Sequence, residues 1–370
     1  MTSKIATDPR LDPRIKAIFG MMPQPENPGD VANRDELIAQ ANSEGALAAE
    51  AAMLAMMRAV DDEANSPSAG LAISTKMFVS EPDGNSIKIQ YIRPKGDEVL
   101  PCVYYIHGGG MQAMSCFNGM YRGWGKIIAA QGVAVAMVDF RNCLRPSSSP
   151  EVAPFPAGLN DCVSGLKWVH ANAIALGIDP ARIIVAGESG GGNLALATGI
   201  KLLRDGDISL IKGLYAMCSY IAGAWPSPQN PSSTENNGIL LELHNNRGAM
   251  AYGIEAFNAR DPLAWPGFAG VEDMKGLPPT MISVNECDPL RDEGLAFYRL
   301  LIQAGVKARG RQVMGTAHGT EVFAIAAPKS AAIRPEASPI SPSFNKPVGG
   351  LNESVSAGLI EGTSDKPGPK

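Results

Sequence analysis

Ile183-Ile184-Val185-Ala186-Gly187-Glu188-Ser189-Gly190-Gly191-Gly192-Asn193 is the stretch of this 370-residue chain on which its fold turns. Four apolar residues of strand character run straight into a glycine-rich turn, and Asn193 to Leu203 continues as a helical pattern. Ser189 stands at the centre of a G-x-S-x-G pattern, with Gly187 and Gly191 where side chains would collide in a sharp strand-to-helix elbow. Such an elbow lifts the serine oxygen clear of the sheet edge. A serine can also do no more than cap a helix. The strand before it and the paired glycines favour a nucleophile. A phosphate loop fits poorly, because no Lys follows the last glycine. A second stretch has the same design, since Val103 to Ile106 reads as a strand and ends in His107-Gly108-Gly109-Gly110. Successive glycines let backbone N–H groups converge on one point. Together the two stretches supply a nucleophile and donors for a tetrahedral oxyanion.

Outward from these stretches, strands and helices alternate. Strand-like runs from Leu71 to Val79 and from Ile87 to Ile92 flank the turn Pro82-Asp83-Gly84-Asn85 and predict a hairpin. Further strands are expected at Val103 to His107, Val133 to Phe140, Ile183 to Ala186, Gly213 to Cys218, Thr280 to Asn285 and Ala308 to Met314. Helical stretches near Met120 to Ala130, Ala157 to Ala175, Gly190 to Arg204 and Leu290 to Ala304 separate them. This order implies an α/β fold with a mainly parallel central sheet flanked by helices. Residues 1–65 read as an N-terminal arm, helical from about Asp30 to Glu63. The alternation breaks at residues 221–258, where a Pro-, Ser- and Asn-rich run precedes a helical stretch from Arg247 to Phe257 that looks inserted over the sheet. Residues 66–220 and 259–326 then form the core. Residues 327–370, with Pro339, Pro342, Pro347 and Pro367 and no sustained periodicity, read as a disordered tail.

A serine hydroxyl is a weak nucleophile at neutral pH and needs a base. The chain has four histidines to offer. His107 belongs to the glycine loop and reads as its brace, with Gly108; His170 lies within a helix, and His244 sits in the inserted segment. His318 follows the last strand in a loop of small residues, Gly315-Thr316-Ala317-His318-Gly319-Thr320, and is the candidate base. The orienting acid is sought in Asn285-Glu286-Cys287-Asp288-Pro289-Leu290-Arg291-Asp292-Glu293, where four carboxylates compete. Asp288 lies just past a strand, at the carboxyl edge where catalytic groups gather in open α/β sheets. It could equally cap the helix that Pro289 begins. Asp292 and Glu293 fit the following helix. Gly109, Gly110 and the N–H of Gly190 are the candidate oxyanion donors, and loss of one such donor lowers turnover by about 100 to 1,000-fold.

Composition narrows the remaining choices. A net charge of −5, with Lys and Arg scattered, gives no electrostatic footprint for nucleic acid. The polar N-terminus has no apolar leader, and no stretch is long enough to span a bilayer, so a cytoplasmic location is expected. Cys102, Cys116, Cys143, Cys162, Cys218 and Cys287 are dispersed without a C-x-x-C pair, which predicts buried free thiols and neither metal nor redox chemistry.

With these residues in hand, the chain resembles the hormone-sensitive-lipase-like carboxylesterases, bacterial family IV of the α/β-hydrolase superfamily. His107 to Gly110, Gly187 to Gly191, Asp288 to Gly294 and His318-Gly319 occur in family order, over about Val99 to Thr320. The resemblance implies hydrolysis of small carboxylic esters, lactones included, without a cofactor. It also implies a helical cap built from the N-terminal arm and the inserted segment. The chain departs from the family in three places. It has Glu188 and Gly190 where many members have Asp and Ala, an altered segment from Phe140 to Glu151, and a Pro-rich tail where a closing helix is usual. Met111, Met114, Phe117, Trp124, Glu188, Tyr220 and Trp265 are the candidate pocket residues. A homodimer, a receptor-like homologue without turnover, and an amidase or peptidase on the same scaffold stay open.

Overall fold

A computed structural model describes residues 3–323. The expectations for residues 324–370, the tail among them, lie outside the described residues. Among the described residues eight strands form one sheet: β1 (Leu71–Val79), β2 (Ser86–Pro94), β3 (Leu100–Ile106), β4 (Ala134–Val138), β5 (Ile178–Glu188), β6 (Gly213–Met217), β7 (Thr280–Asn285) and β8 (Ala308–Val313). Their order is β1-β2-β4-β3-β5-β6-β7-β8. The β1–β2 and β2–β4 pairs are antiparallel and all others parallel. The α/β architecture expected from the alternation is the one observed. The hairpin turn closes through Ser80 N–H to Asn85 O and Gly84 N–H to Ser80 O, with Gly84 at φ 76°. That left-handed position suits glycine.

Successive side chains of a strand point to opposite faces, and β3 accordingly feeds two cores. Tyr104 and Ile106 pack with residues of the Ala157–Ala171, Gly190–Asp205 and Arg291–Gln303 helices. Val103 and Tyr105 face the Gly119–Ala129 helix, with Tyr121, Trp124 and Ile128. The central strands are therefore buried on both sides, which explains their unbroken apolar runs.

A buried ion pair locks the turn after β4 to the Ala157–Ala171 helix. Arg141 Nε and Nη2 donate to both oxygens of Asp161, at 2.9 and 2.8 Å, and Nη2 also reaches Asp83 in the β1–β2 turn at 2.6 Å. Asp161 is fully buried and Arg141 nearly so. Removing one partner of such a pair strands the other charge, at a penalty of about 3–5 kcal/mol. Arg141→Met is therefore expected to lower the unfolding free energy by about that amount, read as a shift in the urea midpoint. A change within about 0.5 kcal/mol, the range of ordinary surface substitutions, would refute the role of the pair.

The N-terminal residues are more structured than composition suggests. Besides the Arg34–Ala41 and Glu44–Ala59 helices, two short ones occupy Lys4–Thr7 and Pro13–Phe19. Ile5, Leu11, Ile15 and Phe19 pack on Ile239, Cys287 and Ala317. Hydrogen bonds tie this arm to the 221–258 segment: Lys4 Nζ to Asn237 O, Gln24 Nε2 to Gly238 O, Asn27 Nδ2 to His244 O and Arg247 Nε to Gly29 O. No helix among the described residues is long and apolar enough to cross a membrane.

Candidate active site

The parallel strands end in step. Ile106 of β3 pairs with Gly187 of β5, Glu188 with Met217 of β6, and Asn285 of β7 with Val313 of β8. Everything that follows these ends collects along one sheet edge. Ser189 comes directly after β5 and Asp288 three residues after β7; His318 lies five beyond β8.

Ser189 has φ 57° and ψ −120°, a strained conformation for a residue with a side chain. Its neighbours explain why the strain holds. A Cβ at Gly187 would stand 2.2 Å from Gly191 O, and one at Gly191 would stand 2.1 Å from Ile106 O. The elbow closes on itself only with glycine at both positions. Ser189 remains half-exposed, whereas the groups behind it are buried.

His318 Nε2 lies 3.0 Å from Ser189 Oγ, and His318 Nδ1 lies 2.9 Å from Asp288 Oδ2. A carboxylate can only accept, so Nδ1 carries the hydrogen and Nε2 is left to accept from the serine hydroxyl. Asp288 Oδ1 is itself held by the N–H of Leu290 at 2.9 Å. Burial alone would lower the His318 pKa, but the Asp288 charge outweighs it and raises that pKa well above the ordinary value. Two hydrogen bonds pin the loop that carries His318. Asn285 Nδ2 donates to Ala317 O at 2.7 Å, and Asp12 N–H donates to Gly315 O at 2.9 Å. His244 instead bonds Ser233 O, and His170 lies on the Ala157–Ala171 helix.

The N–H and C=O of one trans peptide point in opposite directions, so pinning a carbonyl aims the N–H behind it. His107 Nδ1 holds Gly108 O at 2.9 Å and thereby orients the N–H of Gly109. Gln112 N–H holds Gly109 O at 2.9 Å and orients the N–H of Gly110. Asn193 and Tyr220 N–H groups hold Ser189 O at 3.0 and 3.1 Å and orient the N–H of Gly190. Gly109, Gly110 and Met111 have φ of 96°, 62° and 60°. At Gly190 a Cβ would come within 2.5 Å of Met111 N and 2.7 Å of Gly110 N. Gly190 is thus required by the close approach of the two loops.

His107 is fully buried, stacked on Phe140 at 4.3 Å, which fits a brace and leaves it far from proton transfer with solvent. Asp139 accepts from Ser115 Oγ, Cys116 N–H and Ser148 N–H at 2.6, 2.9 and 2.7 Å and so anchors the loop beyond Met111.

The pocket candidates divide. Tyr220 comes within 4.0 Å of a Cβ placed at Gly110, and Met114 within 3.1 Å of one at Gly109, so both stand at the glycine loop. Met111 is buried there as well, and Phe117 is half-buried nearby. Trp124 instead packs under the sheet with Tyr121 and Met137. Trp265 is fully buried against Tyr220, Trp225 and Tyr252. Glu188 is turned away from solvent beneath the elbow. Its carboxylate accepts from Tyr121 OH at 2.7 Å and Tyr105 OH at 3.0 Å, and burial pushes its pKa up to about 7. Cys218, which sequence reasoning passed over, ends beside His318. Its sulfur and the ligand atoms of Asp288 and His318 lie within 4.8 Å of one another, the sole such metal-sized group among the described residues. A metal there would have to break the Asp288–His318 bond.

A family model described as the alpha/beta hydrolase fold matches residues 103–322. A carboxylesterase of Mycobacterium tuberculosis, NlhH, is 34% identical over 247 residues, 65% of this chain and 73% of the relative. An ethyl acetate hydrolase of Pseudomonas putida is 29% identical over 241 residues, 64% of this chain and 72% of its own. Among solved structures, esterase Est22 superposes with a TM-score of 0.90 at 63% identity, covering 93% of this chain and all of that one. Brefeldin A esterase, a bacterial homologue of human hormone sensitive lipase, superposes with a TM-score of 0.73 at 36% identity, covering 86% of this chain and 88% of that one. The chain belongs to the α/β-hydrolase-fold family, in its hormone-sensitive-lipase-like group. It is a carboxylic ester hydrolase.

Proposed function

We propose that this esterase works through an acyl-enzyme on Ser189, with His318 as general base and acid and Asp288 as the orienting acid. The reading rests on one observation, the unbroken hydrogen-bond chain from Ser189 Oγ through His318 to Asp288. The Ser189 proton passes to His318 Nε2 as Oγ bonds to the ester carbonyl carbon. The carbonyl π electrons move onto oxygen, where the N–H groups of Gly109, Gly110 and Gly190 meet the negative charge. As the tetrahedral species collapses, the bond to the alkoxy oxygen breaks and His318 returns its proton to the leaving alcohol. Water, deprotonated by His318, then releases the acid and restores Ser189.

Small carboxylic esters, lactones among them, are the proposed substrates. The hydrogen bonds between residues 4–34 and 237–251 support a single cap made of the N-terminal arm and the 221–258 segment. A cytoplasmic location is part of the reading, supported by six unpaired thiols.

The test uses the full chain, a p-nitrophenyl phosphate triester and mass spectrometry. The expected result is one dialkylphosphate on the peptide containing Ser189, with activity lost in proportion to labelling. Labelling elsewhere, or full activity in the labelled protein, would overturn the assignment. Matched p-nitrophenyl butyrate and butyryl p-nitroanilide run alongside, and faster turnover of the anilide would move the reading to an amidase.

A further inference from the structure

Three glycines in a row leave the His107–Gly110 loop without side-chain barriers to rotation. Its peptides hold their direction only through what bonds them from outside. The carbonyl of Gly108 is held by His107, and the carbonyl of Gly109 by Gln112. The first peptide of the loop, between His107 and Gly108, is held differently. Its N–H donates to Tyr121 OH at 3.1 Å.

Tyr121 has a fixed direction in this arrangement. Its oxygen accepts from Gly108, so its hydrogen is free to donate, and it does so to Glu188 Oε1 at 2.7 Å. The second carboxylate oxygen accepts from Tyr105 OH at 3.0 Å, from the strand beside β5. All three side chains are buried. The carboxylate also fills the volume beside Gly108, where a Cβ would stand 2.1 Å from Glu188 Oε1. Glu188 immediately precedes Ser189, so one carboxylate ties the nucleophile elbow to the loop that faces it.

We infer that Glu188 and Tyr121 are positioning residues that hold the Gly108 peptide, and through it the N–H groups of Gly109 and Gly110, in register with Ser189. The inference rests on the proposed role of Ser189 and deepens it. Neither side chain touches substrate. Without the Tyr121 oxygen the Gly108 N–H is left unpaired in a buried site, and the peptide gains by rotating toward another acceptor. Adjacent peptides in a glycine run rotate together, so the donors behind it swing as well. Tyr105 grips the same carboxylate from the far side and has no bond to the loop, which makes it the control.

The experiment compares Tyr121→Phe with Tyr105→Phe, each checked for folding by near-ultraviolet circular dichroism. Three quantities are read: kcat and KM for p-nitrophenyl butyrate, and Ki for an alkyl trifluoromethyl ketone. That ketone forms a hemiketal on a serine, so its affinity reports the oxyanion site directly. Tyr121→Phe is expected to lower kcat about tenfold, with KM within about twofold, and to raise Ki about tenfold, less than the roughly 100-fold or more that follows outright loss of a donor, because the donors are displaced and not removed. Tyr105→Phe is expected to leave kcat and Ki within about twofold. Equal effects of the two variants on Ki, whatever their melting temperatures, would overturn the inference.

If Tyr121→Phe does not fold, Glu188→Gln is compared with Glu188→Leu. The amide retains an acceptor for Tyr121 and the leucine does not, so a Ki raised about tenfold in Glu188→Leu and less than about threefold in Glu188→Gln supports the hydrogen-bonding role, and equal Ki values in the two variants overturn it. Failure of Ser189 to take the phosphoryl label would instead sink the catalytic reading beneath this one.

Discussion

Ser189→Ala lowers kcat for p-nitrophenyl butyrate by at least about 10,000-fold while leaving the fold intact, the expected loss when the nucleophile of such a group is removed. The side chain is half-exposed and, among the described residues, its oxygen bonds His318 alone, so its removal opens no cavity in the core. The melting temperature should hold, because the strain at φ 57° arises from Cβ, which alanine retains. Residual rate above the uncatalysed reaction is expected from the oxyanion donors and binding alone. The measurement is initial rate against a buffer blank, with protein prepared free of contaminating hosts' esterases. Retention of more than a few per cent of activity would show that Ser189 is not the nucleophile, whatever its distance from His318.

The second large effect belongs to Asp288→Asn. The replacement keeps an oxygen for the Leu290 N–H, but it turns an amide donor toward His318 Nδ1. The ring then carries its hydrogen on Nε2, where it can no longer accept from Ser189. A loss of about 10,000-fold in kcat is expected. The pH dependence supplies an independent sign. His318 must be neutral to act as base, so the acidic limb of kcat/KM reports its pKa in the free enzyme. In the wild type the Asp288 charge holds that pKa up against the effect of burial. With the charge gone, burial prevails and the pKa falls. The acidic limb should move to lower pH even as the plateau drops. A limb that stays in place would mean that Asp288 does not carry the charge His318 feels.

Much of this site was legible because its chemistry is tied to local backbone geometry. Gly187 and Gly191 announce the elbow, and the structure places their absent side chains within about 2 Å of backbone atoms. Thr280–Asn285 has the bounds that its apolar run suggests, since a strand buried in a sheet leaves a continuous apolar trace, whereas Leu71–Val79, an edge strand mostly exposed, was bounded by the turn that follows it. The short Lys4–Thr7 and Pro13–Phe19 helices were missed because neither completes enough turns to show a period. Their capping residues were visible. Ser3 and Asp12 accept from Ala6 and Arg14, and Pro13 follows Asp12 at the first helical position.

Glu188 was misjudged for a different reason. A carboxylate beside a nucleophile reads as a pocket group, and its real partners, Tyr105 and Tyr121, lie 83 and 67 residues away in the chain. Cys218 likewise meets His318 only through the ordering of strands. Trp124 and Trp265 reveal the same limit, since composition cannot say which aromatic faces a ligand and which faces another strand.

The bonds that join Lys4, Gln24 and Asn27 to residues 237–244 span 233, 214 and 217 positions of chain. A ribosome adds roughly 5–20 residues each second, so the first residues emerge ten seconds or more before their partners exist. Through that interval Ile5, Ile15 and Phe19 have neither Ile239 nor Ala317 to pack against. The Lys4–Thr7 and Pro13–Phe19 helices consequently cannot dock until residues 237–317 have been made, and their apolar faces are open to chaperones through that interval.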